Sequence, residues 1–290
     1  ARLNGRVPVL GIAAGRCFAG NAALLGCCDT IIATQASNIG MGGPAMVEGG
    51  GLGVFRPEDI GPSEVQARNG VIDVLVADEA EAVRVARQYL SYFQGRLPGG
   101  EAPDPQRLRE VLPENRVRSY DMREVLRGVV DVGTLLELRA GFGIGVFTAL
   151  GRIEGRPVGL LASNPAHLGG AIDAEAADKA ARFLQLCNGH GLPVVSLIEH
   201  DRAGCRDPDR EALVGPTPAS GVVGGVVDGV FEQNATGNGT RNPRRPAYSR
   251  GVVEALERVQ DRVDAMPERV YARVSSCAVR RPNMPPVCRR

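Results

Sequence analysis

The sequence predicts an α/β protein built from a repeated unit. Apolar runs of strand length alternate with stretches whose apolar residues recur at helical spacing, which is typical of strands covered by helices. The order strand, small-residue loop, helix, strand occurs twice, near residues 7–34 and near residues 158–198. Hydrophobic residues make up 43% of the 290 residues and charged residues 23%, so we expect a sizeable buried core. The repetition indicates two related units of the β-β-α crossover type.

The first unit is predicted from its apolar spacing and its capping residues. Ser63 and Gln66 have the spacing of a capping box, which predicts a helix start. The clearest helix follows Asp78, a suitable N-cap, and its apolar residues recur at helical spacing up to Phe93. The predicted elements are strand 7–13, helix 20–28, strand 29–34, glycine-rich loop 40–53, strand 71–76 and helix 79–94.

A stretch rich in proline and glycine, residues 95–118, separates the two units and is the best candidate boundary. The second unit is predicted as helix 121–131, strands 144–153 and 157–163, helix 174–188 and strand 193–198. Beyond residue 199 no firm period continues, and residues 231–250 have the polar, breaker-rich composition of disorder. One further helix is expected at residues 252–264.

Composition excludes several classes of protein. The formal net charge of +1 argues against a dedicated nucleic-acid protein. The seven cysteines show no CxxC spacing, which indicates reduced thiols in the cytosol rather than a zinc site. No apolar run approaches the length of a membrane span. We therefore expect a cytoplasmic protein that binds neither nucleic acid, membrane nor metal.

The stretch GRCFAGNAALLGCCDTII, residues 15–32, leaves a strand and enters a helix through residues with almost no side chain. The first N–H groups of a helix are unpaired and lie at the positive end of its dipole. A small-residue turn lets an acyl oxygen approach these donors, as in an oxyanion hole formed by the Ala19 and Gly20 amides. From the spacing alone, close packing of helix on sheet, or a phosphate cradle, is the simpler explanation of the same residues.

Longer motifs separate these alternatives. The stretches AGRCFAGNAALLGCCDTIIAT, SNIGMGGPAMVEGGGLGVF and GRPVGLLASNPAHLGGAIDAEAADKAARFLQLC, followed by LPVVSL, occur in order over residues 5–198. Together they resemble the carboxyltransferase (β) subunit of biotin-dependent acyl-CoA carboxylases, a family that includes the acetyl-, propionyl- and methylcrotonoyl-CoA enzymes.

The resemblance implies a crotonase-like β-β-α superhelix with two related, incomplete domains. Residues 1–100 would belong to the acyl-CoA domain, 101–118 to a linker and 119–214 to the biotin-side domain, with 215–290 an unmatched, disordered tail. The activity implied is the movement of carboxylate from carboxybiotin to the α-carbon of an acyl-CoA. Biotin would be carried by a partner α subunit with biotin carboxylase and carrier functions, and the β subunits would form a homo-oligomer.

The resemblance also assigns roles to individual positions. Ala19 and Gly20 correspond to backbone N–H donors on the acyl-CoA side, and no side-chain general base is required. The substrate-binding positions implied are Gly42, Gly43 and Pro44 at the acyl pocket, and Asn164, Gly169 and Gly170 in the loop beside the biotin site.

The end of the chain departs from the family pattern. After residue 198 the expected turns of the types Asp-x-Pro-Gly and Ala-Tyr-Gly-Gly are absent, so we expect a chain truncated at both ends with an out-of-frame tail over 199–290. Two other functions remain open: an inactive relative that binds only CoA or a sister subunit, and a crotonase-like hydratase or thioesterase. For the latter, Glu48 is a candidate base and His167 a candidate substrate contact, although a solvated carboxylate and a structural histidine are the simpler interpretations. Cys27 and Cys28 are expected in the core.

Overall fold

The computed structural model describes residue 3 and residues 5–111, 120–199 and 270–275. Nine elements of the first half alternate short strands and helices. They are β1 (Leu10–Ala13), β2 (Arg16–Phe18), α1 (Gly20–Gly26), β3 (Thr30–Thr34), β4 (Asn38–Gly40), α2 (Pro44–Gly49), α3 (Ser63–Arg68), β5 (Val74–Val76) and α4 (Glu79–Ser91).

The second half has longer strands. Its elements are α5 (Pro105–Val111), α6 (Met122–Val129), β6 (Leu136–Leu138), β7 (Val146–Ile153), β8 (Arg156–Ser163), α7 (Ala174–His190), β9 (Val194–Glu199) and β10 (Val270–Ser275). Single 3₁₀ turns occur at Pro57–Asp59 and Leu168–Gly170.

Three sheets organise these strands. The first half contains a parallel sheet in the order β1-β3-β5 and a parallel pair, β2-β4. The second half contains a five-stranded sheet in the order β10-β9-β8-β7-β6. In both halves a helix connects two neighbouring parallel strands, β1 to β3 through α1 and β8 to β9 through α7. The predicted repeat of strand, loop, helix and strand is therefore confirmed.

The two halves share one apolar core. Its members come from β3 and α4 in the first half and from β6, β7 and α7 in the second, including Ile32, Tyr89, Leu150 and Leu184. A buried ion pair crosses the same boundary, since Arg139 Nε donates to Asp73 Oδ1 at 2.8 Å. The second Asp73 oxygen accepts the Ile31 N–H at 2.8 Å, so this carboxylate is bonded in both halves.

The clearest predicted helix is confirmed, because Asp78 Oδ1 accepts the Glu81 N–H at the start of α4. The capping box at Ser63 was wrong. Pro62 is the N-cap of α3, and the Ser63 hydroxyl instead donates to the Gln35 carbonyl while Gln66 Nε2 donates to the Ile39 carbonyl. Both side chains thus tie α3 to the chain around β3 and β4 rather than to the amides of the helix itself.

Several segments differ from the sequence prediction. The glycine-rich loop contains α2, which begins at Pro44, a residue favoured at the first helical position. The predicted linker contains α5, whose Leu108 is buried against α6. Residues 270–275, predicted as part of a disordered tail, form β10, because a strand with alternating valine and alanine satisfies the free edge of β9. The helix expected at 252–264 lies outside the described residues.

The cysteines of the described part are free thiols at Cys17, Cys27, Cys28 and Cys187. Cys187 is buried, and Cys28 is half-buried and packs against the core of the first half, but Cys27 is exposed, so the expectation of a core position was wrong for Cys27. The reason is that α1 ends at Gly26, and the pair falls in the turn that leads to β3.

Candidate functional site

The turn between β2 and α1 has an unusual backbone. Ala19 is the N-cap of α1 and has φ 52° and ψ −121°, values that favour glycine. Its N–H donates to the Gly40 carbonyl at 3.0 Å and so extends the pairing of β2 with β4. Of the two predicted amide donors, Ala19 is therefore already bonded within the protein.

Gly20 is placed differently. As the first residue of α1, it has no acceptor for its N–H within the helix. A β-carbon built on Gly20 meets no other atom within 4 Å, so the space over this helix start is open. Close helix–sheet packing does not explain this glycine, whereas it does explain Gly11 in β1, where a β-carbon would lie 2.5 Å from Leu25. Gly20 therefore stays a predicted donor, while the Ala19 amide is already bonded to Gly40.

The loop that precedes α2 lies beside the same turn. Phe18 packs against Gly40 and Gly43, since β-carbons built on these glycines would lie 3.5 and 3.4 Å from its ring. Gly43 is the N-cap of α2 and Pro44 its first residue. The structure therefore places Gly43, which caps the helix that Pro44 begins, beside Phe18, the residue before the Ala19–Gly20 turn. That these positions form one site stays a prediction from the family resemblance.

A second loop, residues 164–170, follows β8. Asn164 anchors it, because its Nδ2 donates to the Ile144 carbonyl at 2.7 Å and its Oδ1 accepts the Ala166 N–H at 3.1 Å. Gly170 has φ +87°, and a β-carbon built on it meets nothing within 4 Å. Gly169 lies with it in the 3₁₀ turn Leu168–Gly170. Asn164 thus shapes the loop, and Gly170 faces open space.

His167 closes this loop onto α7. Its Nε2 lies 2.9 Å from Asp173 Oδ2, and the other Asp173 oxygen accepts the Ala176 N–H at 2.8 Å as the cap of α7. These hydrogen bonds hold the pKa of the Asp173 carboxyl below its usual range. His167 is therefore a structural residue, and its partner Asp173 was missed although an aspartate before an apolar helix is a recognisable cap.

The structure joins the two loops by no hydrogen bond or ion pair among the residues it describes. Glu48, considered as a base, is exposed on α2.

The residues that the structure describes contain no group of three or more His, Cys, Asp or Glu side chains arranged to hold a metal ion. No helix in the described part of the chain is long and apolar enough to cross a membrane.

Lys179, the single lysine, is buried on α7 and was not singled out as a site residue. Its Nζ donates to the Val146 carbonyl at 2.9 Å, and burial lowers its pKa to about 8. A small cavity of about 20 Å³ lies beside it, lined in part by Asp73, Arg139 and Arg182. The sequence did indicate that Lys179 lies on the buried face of the helix, since it falls at helical spacing with Ala176 and Phe183.

Comparison with known proteins identifies relatives of this chain. The family model for the carboxyl transferase domain matches residues 1–204. The uncharacterized carboxylase YngE of Bacillus subtilis is 32% identical over 208 residues, which are 68% of this chain and 41% of that protein. The methylmalonyl-CoA carboxyltransferase 12S subunit of Propionibacterium freudenreichii is 30% identical over 207 residues, 68% of this chain and 40% of that subunit.

Solved structures show the same fold. A single-chain, multi-domain long-chain acyl-CoA carboxylase is 62% identical, with a TM-score of 0.65 over 67% of this chain and 19% of that chain. The transcarboxylase 12S hexamer is 29% identical, with a TM-score of 0.60 over 67% of this chain and 40% of that chain. The chain thus spans about two fifths of the length of the curated relatives it matches.

Proposed function

The chain belongs to the carboxyl transferase domain family, and from that premise we propose that it takes part in the carboxyltransferase half-reaction of an acyl-CoA carboxylase. Its crotonase-like α/β fold is the one found in that family. In this half-reaction the carboxyl group moves from carboxybiotin to the α-carbon of an acyl-CoA. The single observation that carries the proposal is the family match over residues 1–204.

The role proposed for this chain is to stabilise an enolate. Loss of the α-proton of an acyl-CoA, for which the partner's biotin would be the acceptor once it has lost its carboxyl group, moves negative charge to the thioester oxygen. A fixed N–H donor in that position lowers the barrier. Gly20 is suited to this role because its N–H is one of the unpaired donors at the positive end of α1, and a β-carbon built on it would meet no atom within 4 Å. Ala19 serves by positioning it, since the bond from Ala19 N to Gly40 O holds the turn.

The remaining predicted positions line the two substrates. We propose Gly42, Gly43 and Pro44 as the floor of the acyl site, because Gly43 packs against Phe18 and the other two are its neighbours in the chain. We assign the loop with Asn164, Gly169 and Gly170 to the biotin side, where Gly170 leaves open space. Carboxybiotin, held covalently on a partner protein, supplies the carboxyl group when it is bound.

Partners and location follow from the same family. Relatives are named as β subunits of biotin-dependent carboxylases, and the transcarboxylase 12S subunit forms a hexamer. We propose that this chain acts in the cytoplasm with a biotin-carrying α subunit and with further copies of a β subunit. A relative that binds only CoA or a sister subunit is the second candidate, because the turns of the types Asp-x-Pro-Gly and Ala-Tyr-Gly-Gly expected after residue 198 are not found.

The test is carboxyl transfer by the purified chain with a biotin-loaded partner and acetyl-, propionyl- and methylcrotonoyl-CoA. Formation of the carboxylated thioester supports the proposal, and acyl-CoA binding without turnover supports the second candidate. Absence of both transfer and acyl-CoA binding would overturn the two together.

Substituting Gly20 tests the assigned donor. We expect Gly20→Ala to fold normally, because its β-carbon meets open space, but to displace the acyl oxygen. A displacement of about 1 Å lowers transfer on the order of 100-fold. Gly26→Ala is the matched control, since it lies in the same helix with equally open space, and we expect its rate to be unchanged. Equal rates in both variants would remove Gly20 from the mechanism.

A further inference from the structure

A buried serine, Ser37, lies in the turn between β3 and β4, with only 1% of its surface exposed. Its hydroxyl donates to the Ala13 carbonyl at 2.7 Å and accepts the Gly15 N–H at 3.0 Å. The Thr34 hydroxyl lies 2.8 Å away and donates to it, because the one proton of Ser37 goes to Ala13. The oxygen thus uses one donor and two acceptor positions, its full capacity. A buried hydroxyl that is saturated in this way holds its neighbours rigidly.

These hydrogen bonds join the termini of four strands. Ala13 ends β1, Thr34 ends β3, and Gly15 directly precedes β2. β4 begins with Asn38, the residue after Ser37. The Asn38 N–H donates to the Gly15 carbonyl at 3.0 Å, so Gly15 is held through both its N–H and its carbonyl. The β2–β4 pair therefore starts from one point, the hydroxyl of Ser37.

The start of β2 depends on these two hydrogen bonds at Gly15. Its φ of +121° lies in the region that favours glycine, the residue that loses most conformational freedom on folding. β2 and β4 contain only three residues each, and a two-stranded sheet is at best marginally stable by itself. The register of β2 against β4 is therefore determined by what holds their first residues.

This register decides where the Gly20 amide lies. The pair ends with Phe18 opposite Gly40, and the Ala19 N–H adds a last hydrogen bond to the Gly40 carbonyl. Gly20 follows as the first residue of α1. Gly15 and Ala19 are four residues apart, about 13 Å along a strand. Because only β2 and one further residue separate Gly15 from Gly20, a shift at Gly15 is carried to that amide.

We propose that Ser37 is a positioning residue for the carboxyltransferase half-reaction, because its hydroxyl fixes the start of β2 against β4 and so sets where the Gly20 amide lies. The inference rests on the proposed function, which places the enolate oxygen at that amide. Ser37 does not touch the substrate, since its side chain is buried and its hydroxyl is fully used within the protein. It acts on the geometry of a donor that counts most when charge develops on the oxygen.

The first experiment measures kcat and the KM for acyl-CoA of Ser37→Ala with a saturating biotin-loaded partner. The substitution leaves the Gly15 N–H without its acceptor and the Ala13 carbonyl without this donor. A displacement of about 1 Å costs on the order of 100-fold in rate, so we expect kcat to fall by about 10- to 100-fold. KM should stay within about twofold of wild type, because loss of an interaction made only in the transition state lowers kcat and kcat/KM alike.

Ser63→Ala is the matched control. Ser63 is also 1% exposed, and its hydroxyl also donates to a backbone carbonyl at 2.7 Å, that of Gln35. Both variants should unfold at lower denaturant concentration, because each loses a buried hydrogen bond. Only Ser37→Ala should lose kcat, since Ser63 lies on α3 and does not bond to β2.

The kinetic outcomes separate this inference from the proposed function. Equal kcat values in Ser37→Ala and Ser63→Ala, with wild type active, overturn the role of Ser37 and leave the proposed function standing. A fall in kcat/KM that comes from KM alone also overturns it. No transfer by wild type overturns the proposed function, and the inference with it.

Hydrogen exchange followed by mass spectrometry gives a readout that does not require activity. Exchange should become faster over residues 15–20 in Ser37→Ala and stay as in wild type there in Ser63→Ala. If Ser37→Ala does not fold, Ser37→Cys retains a weaker donor and acceptor and should show the same changes at smaller size. Unchanged exchange over residues 15–20 in the Ser37 variant would mean that the turn is held without this hydroxyl, and the inference would be wrong.

Discussion

Ala19 holds a backbone conformation that is unfavourable for any residue with a β-carbon. Its φ of 52° and ψ of −121° are fixed from two sides, by the bond to Gly40 and by the start of α1. Strain of this kind costs about 1–3 kcal/mol and persists where neighbouring structure determines the backbone. The strained residue lies directly before Gly20, whose amide we assign to the thioester oxygen.

Ala19→Gly should therefore stabilise the protein by about 1 kcal/mol, because relief of the strain exceeds the added entropy of the unfolded chain. Urea unfolding monitored by circular dichroism measures the change. Ala23→Gly, an exposed position within α1, is the control and should destabilise by about 1 kcal/mol. If both variants are destabilised alike, Ala19 carries no strain.

At the scale of the element, α7 combines a capped start with a buried basic residue. Asp173 caps the helix and binds His167, which fixes the preceding loop. Nearly two turns later Lys179 is buried, and its Nζ donates to the Val146 carbonyl of β7. The helix thus positions the second loop and buries an amine whose charge is disfavoured.

Burial of Lys179 predicts a pH dependence of stability. Its folded pKa of about 8 lies below the ordinary lysine value of about 10.4, so between these values the unfolded chain binds more protons than the folded one. The free energy of unfolding should therefore rise with pH over this window, by at most about 1.4 kcal/mol per pH unit from this group.

Lys179→Met removes that contribution. The unfolding free energy of the wild type minus that of the variant should therefore increase from pH 8 to pH 10. Denaturant unfolding at several pH values measures it. The difference isolates the lysine from tyrosines and cysteines that titrate nearby, because these are common to both proteins. A constant difference would mean that Lys179 stays charged when folded.

At the scale of the whole molecule, the shared apolar core and the Asp73–Arg139 pair join the two halves. Burial raises the pKa of the Asp73 carboxyl, while the guanidinium of Arg139 and the Ile31 amide oppose that rise. An ion pair in this position contributes little by itself, but removing one partner leaves a buried charge without compensation.

Arg139→Met should consequently destabilise the protein by about 3–5 kcal/mol. Thermal unfolding measures the loss, and Arg84→Met, which removes an exposed pair with Glu81, should change stability by less than about 1 kcal/mol. Adding Asp73→Asn to Arg139→Met should recover part of the loss. No recovery would show that Arg139 acts through packing rather than through charge.

Long, regular elements were predictable from the sequence. Helix α4 and strands β7 and β8 were placed within a few residues, because their apolar spacing and caps are local. The three-residue strands β2 and β4 were not, since so few residues carry no period and the pairing of Arg16 with Asn38 is non-local. α2 was missed because glycines on both sides of Pro44 favour a loop.

The candidate site shows the same division. The small residues around Gly20 left packing and ligand binding open, and it was the resemblance of the longer motifs that favoured a donor. The structure adds that a β-carbon on Gly11 would make a close helix–sheet contact, whereas one on Gly20 would meet no atom within 4 Å. Likewise, the engagement of the Ala19 amide by Gly40 depends on two strands far apart in the chain.

By itself the sequence determined the α/β repeat, the family and the residues around which a site is built, because these depend on local spacing and on motifs. The tertiary structure decided which amide is already bonded, which loop residues are structural, and which strand ends meet at Ser37. The physical reason is that hydrogen-bond satisfaction and exposure depend on neighbours brought together by folding, and no local pattern encodes the distance between them.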